Sequence, residues 1–156
     1  MRVTILAVGR QRSGPEAELV ADYLTRFDRN GRALGLGPAR VVEIDDRRGG
    51  GPEAEGALIL RSLPEGARLI ALDERGKTLT SPDFARQLRG QADAGLRDLA
   101  FAIGGADGLS DTVRTRANNL LSLGPMVWPH MLVRAMLAEQ LYRAASILAG
   151  SPYHRE

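Results

Sequence analysis

Short continuous apolar runs alternate along this chain with longer stretches whose apolar residues recur every three or four positions. The first kind marks strands buried on both faces, the second helices laid against a core. Residues 3–8 read as the first strand. Residues 15–27 then read as a helix, with Ser13 as its cap and Pro15 in its first turn. Residues 30–38 form a Gly-rich loop, and residues 40–44 a second strand ending at Asp45 and Asp46. Residues 47–51 form another Gly-rich loop, followed by a helix over 52–63 that Pro64 stops. A third strand spans 68–72, a third helix opens at Ser81 and runs to Leu88, and a fourth strand spans 99–103. Ser110 or Asp111 caps a short helix to Ala117, residues 120–123 form a fifth strand, and residues 131–148 form the last and longest helix. Strands separated by helices over 156 residues predict one α/β domain, residues 1–156, with a mostly parallel sheet flanked by helices.

In open sheets of this kind ligands sit outside the carboxyl ends of the strands. The loops at 73–80, 104–109 and 124–130 are therefore the places to look. The run Ile103-Gly104-Gly105-Ala106-Asp107-Gly108 leaves a strand and precedes a helix, and its glycines let the main chain turn sharply and approach a ligand. It is not a P-loop, since no Gly-Lys-Ser/Thr follows, and its spacing is not the dinucleotide fingerprint. Gly9, Gly14 and Asp45 form a poorer rival that keeps a nicotinamide-dependent oxidoreductase open. Residues 121–130 are apolar yet broken by Gly124, Pro125 and Pro129, so they cannot form an ordinary strand. Such a segment can wall a flat heterocycle and read its edge with free main-chain groups. His130 and Arg134 stand one helical turn apart and are expected to face one ligand. The last helix is apolar nearly all round, which a dimer interface explains. Tyr153, His154 and Arg155 at the carboxyl end combine the groups that stack a base and clamp a phosphate.

Composition sharpens this picture. There is no Cys, which excludes a disulfide scaffold and a thiolate metal site, and two His exclude a multi-histidine metal centre. No metal is expected. Net charge is only +2, but 20 of the 21 basic residues are Arg, the side chain suited to bidentate phosphate contacts. Between Asp111 and Glu139 there is no acidic residue, while Arg114, Arg116 and Arg134 fall there, predicting a locally positive field. No apolar run approaches the ~20 residues of a membrane-spanning helix. The first ten residues read as a strand and not a signal peptide, so the cytoplasm is the expected compartment.

Taken in order, Leu72-Asp73, Gly76-Lys77, Ser81, Ile103-Gly104-Gly105, Gly108, Pro129-His130-x-Leu132-x-Arg134, Glu139-Gln140-x-Tyr142-Arg143-Ala144 and Pro152-Tyr153-His154-Arg155 resemble the RlmH family of SPOUT-class methyltransferases. Val8-Gly9, Tyr23 and Arg26 extend the resemblance over the first half. It implies a trefoil-knotted SPOUT (alpha/beta knot) fold, S-adenosylmethionine as methyl donor and a homodimer. It also implies a substrate, N3 of a pseudouridine in 23S ribosomal RNA, met on the assembled ribosome. It carries cofactor contacts onto Leu72, Gly104, Gly105, Leu123, Gly124, Pro125, Met126, Val127, Trp128 and Pro129. Gly124 and Val127 depart from the Ser and Thr common there, a small loss if main-chain groups hold the adenine. The expected chemistry gives His130 or His154 the proton from N3, with Arg134 and Arg155 beside the anionic base or a phosphate and Tyr153 stacked on the base. A non-catalytic RNA-binding assembly factor would use the same Arg and Tyr without a cofactor.

Overall fold

The computed structural model describes residues 1–47 and 49–155. The elements are β1 (Arg2–Val8), α1 (Pro15–Gly31), a 3-10 turn (Arg32–Leu34), β2 (Ala39–Ile44), α2 (Gly51–Arg61), β3 (Arg68–Lys77), α3 (Ser81–Asp93), β4 (Asp98–Ile103), α4 (Asp111–Arg116), β5 (Asn119–Leu121) and α5 (His130–Leu148). The five strands form one sheet in the order β2-β1-β4-β3-β5, with every pairing parallel. The α/β reading therefore holds, with a mostly parallel sheet flanked by helices.

Alternation along β1 and β4 sorts the core into two layers. Val3, Ile5 and Ala7 of β1 and Leu99, Phe101 and Ile103 of β4 face Leu24 and Phe27 of α1, Leu88 of α3 and Leu137 and Leu141 of α5. Leu6 and Val8, with Ala100 and Ala102, face Ile59 of α2 and Val113 of α4. The central strands are buried on both faces, as their unbroken apolar runs require.

Several boundaries differ from the sequence reading. Ser13 does not cap α1: Gly14 holds the cap position at φ 115 with no side-chain bond, and Pro15 supplies the preset φ instead. The helix runs on to Gly31, inside the expected loop, because Gly31 packs under Leu36; an added Cβ would meet the Leu36 carbonyl oxygen at 2.7 Å. Thr80 caps α3, its hydroxyl accepting from the Asp83 N–H at 3.2 Å, and the helix continues past Leu88 to Asp93. Within the expected loop at 47–51, Arg48 lies outside the described residues, and Gly51 already opens α2.

The largest difference is in β3, which continues past Leu72 through polar residues to Lys77. Beyond a register shift Lys77 pairs with Leu121 of β5, and the Ser122 N–H donates to the Lys77 carbonyl at 3.1 Å. Main-chain pairing, not apolar patterning, extends this strand. Gly76 makes the approach possible, since a Cβ there would lie 2.6 Å from Leu120 C and Leu121 N. Replacing Gly76 with Ala is expected to cost about 1–3 kcal/mol of stability, because main-chain atoms cannot yield. Gly90→Ala, on the exposed face of α3 with nothing within 4 Å, is expected to raise stability by about 0.5–1 kcal/mol. Urea midpoints of the two variants against the parent check both signs.

Candidate functional site

A parallel sheet delivers the carboxyl ends of all its strands to one edge. At that edge a cavity of about 390 Å³ opens between the ends of β3 and β4 and the segment joining β5 to α5. Leu72, Gly104, Gly105, Leu123, Gly124, Met126, Val127, Trp128 and His130 line it. Pro125 and Pro129 share the segment but do not face the cavity. They fix its course, and Pro129 holds the cap position of α5.

Main chain makes most of these walls. At Gly104 an added Cβ would lie 2.5 Å from the carbonyl of Gly108, so the two arms of the turn touch. The Gly108 N–H closes it by donating to Gly105 at 3.1 Å. On the opposite wall Ser122 clasps the next turn: its hydroxyl accepts from the Gly124 N–H at 3.2 Å and donates to the Gly124 carbonyl at 3.1 Å. Gly124 sits at φ 111, a conformation that disfavours any residue with a Cβ. Met126 and Val127 are 70% and 89% exposed, so the rim is apolar and open.

Asp73, Glu74, Arg75, Asp107 and Arg114 bring charge to the lining, and Arg114 was not foreseen as part of it. Its guanidinium donates to Asp111 and to the Leu109 carbonyl and lies 3.4 Å from Asp73. The three-residue spacing from Asp111 was the available signal. These pairs hold one of the three arginines of the acid-free stretch.

His130 is half-buried at the first position of α5. Burial, then the nearby Arg134 cation, hold its pKa below the ordinary histidine value, with Asp46 opposing. Arg134 corrects a second expectation. It does not face a ligand with His130, because it is wholly buried. Its Nη2 donates to the carbonyls of Val8 and Gly9, the latter at 2.8 Å, and its Nη1 stands 3.8 Å from Glu43. The periodicity of α5 gave no sign that a long cation would point inward.

The carboxyl-terminal group packs elsewhere. Tyr153 donates to Glu139 at 3.0 Å, its ring lies 4.4 Å from that of Tyr142, and Arg143 sits over it at 4.8 Å. Burial, then Glu139, push the Tyr153 phenol up. His154 Nδ1 is 3.3 Å from Arg143, and Arg155 is exposed. Arg143 is thirteen residues from His130 along α5, about 20 Å of helix. Within one chain the structure does not bring His154 and Arg155 to the cavity. A second, mainly apolar cavity of about 530 Å³ lies between them, bounded by Leu19 and Tyr23 of α1, Phe84 of α3 and Leu132 and Met136 of α5.

Residues 1–154 match the family model described as "Predicted SPOUT methyltransferase". The ribosomal RNA large subunit methyltransferase H of Ruegeria pomeroyi is 66% identical over 155 residues, 99% of each chain. The protein of the same name from Dinoroseobacter shibae is 64% identical over the same shares. A solved structure, a probable methylase family protein from Haemophilus influenzae, shares the fold at TM-score 0.50 and 12% identity, covering 99% of this chain and 70% of that one.

Arg134→Met would leave the Val8 and Gly9 carbonyls without their donor, at about 1–3 kcal/mol for each unsatisfied group. A loss of about 2–4 kcal/mol is expected, read as a lowered thermal midpoint by circular dichroism. An arginine kept only to meet a ligand would leave that midpoint unchanged.

Proposed function

The chain belongs to the SPOUT methyltransferase family, and from that premise we propose that it methylates large-subunit ribosomal RNA, taking the methyl group from S-adenosylmethionine. The observation that carries this reading is a cavity walled by two tight main-chain turns with a half-buried histidine at its edge. Its volume lies in the range that takes a cofactor of this size. Main-chain groups of Gly104, Gly105 and residues 123–128 suit an adenine edge, and the apolar side chains suit its faces. Because the walls are main chain, Gly124 and Val127 serve without side-chain hydrogen bonds. The bound cofactor supplies an electrophilic methyl group on a sulfonium.

The proposed acceptor is N3 of a pseudouridine, presented on the assembled ribosome in the cytoplasm. As the N–CH₃ bond forms and the S–CH₃ bond breaks, the proton on N3 must leave. His130, neutral by burial and by its neighbour Arg134, accepts that proton. Its position on the cavity wall favours it over His154, which packs on Arg143. A base of this kind contributes roughly 10²–10⁴-fold. Tyr153, His154 and Arg155 meet the RNA from a second copy of the chain, since within one copy they stand a helix length from His130. The apolar cavity between α1 and α5, with Leu19 at 41% exposure, supports a homodimer through this face.

Incubation with labelled methyl donor and bacterial large subunits, followed by nucleoside analysis of the rRNA, tests the reading. Label in 3-methylpseudouridine is expected, and its absence refutes the assignment. His130→Ala is expected to lower the methylation rate by about 10²-fold or more with cofactor affinity retained. A histidine whose pKa is lowered is unprotonated at neutrality. The rate should thus rise with pH below the ordinary histidine range and be flat by pH 7; a rise centred above it contradicts His130 as base.

Shared sites make a separate prediction. Mixing a cavity variant, Gly104→Val, with a tail variant, His154→Ala/Arg155→Ala, should restore one intact site per mixed dimer. Recovered methylation of up to about half per mixed dimer is expected, and no recovery on mixing denies the sharing.

A further inference from the structure

We infer that residues 9–14, the loop between β1 and α1, form a phosphate clamp in which Arg10 and Arg12 grip the RNA backbone beside the cavity. This rests on the reading of the chain as an RNA methyltransferase.

The loop leaves the sheet at the carboxyl end of β1, the same edge that carries the cavity. Arg10 and Arg12 are exposed, and neither forms an ion pair among the described residues. That sets them apart from the helix arginines Arg26, Arg86, Arg89 and Arg143, each held by a carboxylate one turn away. Of the acidic residues around the loop, Glu43 and Asp45 are engaged, while Glu16 and Asp46 form no ion pair among the described residues. Glu43 accepts from the Gln11 N–H at 2.7 Å and faces Arg134. Asp45 is paired with Arg47 at 2.8 Å, and Asp46 lies against Gly9. Two exposed guanidinium groups are left without an ion pair among the described residues, in the form that binds phosphate oxygens two at a time.

Rigidity is the second observation. Exposed loops are usually held at their ends alone, but this one is also bonded at its middle, at Gln11. The Val8 and Gly9 carbonyls accept from Arg134, the Gln11 N–H donates to Glu43, and the Gly14 carbonyl accepts from Glu18 at 3.2 Å. Arg134 is wholly buried, with Nε unbonded among the described residues and Nη1 meeting only the Glu43 carboxylate at 3.8 Å. Such an arrangement presents Arg10 and Arg12 preorganised, which reduces the ordering cost of binding. It also fixes their distance from the site. Arg134 is one turn from His130, and the Met131 methyl lies 3.4 Å from the Cβ position of Gly9. The clamp and the base are thus anchored to the same turn of α5.

The test compares two double variants with the same change in charge. Arg10→Gln/Arg12→Gln removes the clamp. Arg61→Gln/Arg97→Gln removes two exposed arginines at the opposite edge of the sheet. Binding of bacterial large subunits is measured from 50 to 300 mM salt, with methylation kinetics and calorimetry of S-adenosylmethionine alongside. The clamp variant should bind about tenfold more weakly, with a log–log salt slope lower by about 2. Its KM for subunits should rise, while kcat and cofactor affinity stay unchanged. The opposite-edge variant should match the parent. Equal losses in both variants, or none in the clamp variant while the parent methylates, overturn the clamp and leave the function standing. A parent that binds the cofactor but neither binds nor methylates subunits overturns the function itself.

Discussion

One buried guanidinium ties the last helix of this protein to its first strand. Arg134 leaves the opening turn of α5 and donates to the carbonyls of Val8 and Gly9, where β1 ends. The consequences spread in three directions. It sets the height of α5 against the sheet, so that His130 arrives at the mouth of the cavity. It fixes the path of the chain into the loop at 9–14. Its charge bears on His130 from within and favours the unprotonated ring. An apolar residue would pack this position at lower desolvation cost. A buried cation is tolerated there because it does positional work that no apolar side chain can do.

The cavity that this helix borders is a main-chain object. Gly104 and Gly108 approach too closely for any side chain between them, and the Ser122 clasp fixes the turn at Gly124. Side-chain identity therefore matters less along 123–128 than the path of the chain. Gly124 is suited to its position for a reason of conformation: its positive φ is one that other residues adopt only under strain. Side chains enter where charge must be placed: His130 at the rim, and Arg114 held by Asp73 and Asp111 on the wall.

What could be read from the sequence follows from what each signal measures. Apolar periodicity reports burial, so the central strands and α5 were legible to within a residue or two. It does not report main-chain pairing, and the polar end of β3 from Asp73 to Lys77 was therefore missed. It is equally blind to close packing of glycine, which carried α1 on to Gly31. The turns at 103–108 and 121–130 were legible as the walls of a cavity because Gly and Pro break regular structure where an open sheet places its ligands. The orientation of Arg134 was not, since an arginine flanked by apolar residues on a helix is normally drawn outward by solvation. The pairing of Arg114, within the acid-free stretch at 112–138, was missed for a related reason. Ion pairs form in space, and Asp73 lies far from Arg114 in sequence. The knot that family membership implies leaves no mark on periodicity at all, and general rules of chain threading argue against it.

The separation of His130 from the carboxyl-terminal group has its own logic. Tyr153 and His154 are held on Glu139 and Arg143 by a hydrogen bond, a ring contact and a cation over a ring. They are packed, ordered and remote from the cavity of their own chain. A rigid helix of nineteen residues, about 28 Å long, cannot bend the two ends together. Two such helices related by a two-fold axis perpendicular to them can, because that arrangement places the later part of one beside the beginning of the other. An apolar face between α1 and α5 is the surface such an interface would cover. On the proposed reading the cofactor cavity belongs to a single chain and recognition of the RNA base to the pair, so methyl transfer would wait on assembly while cofactor binding would not.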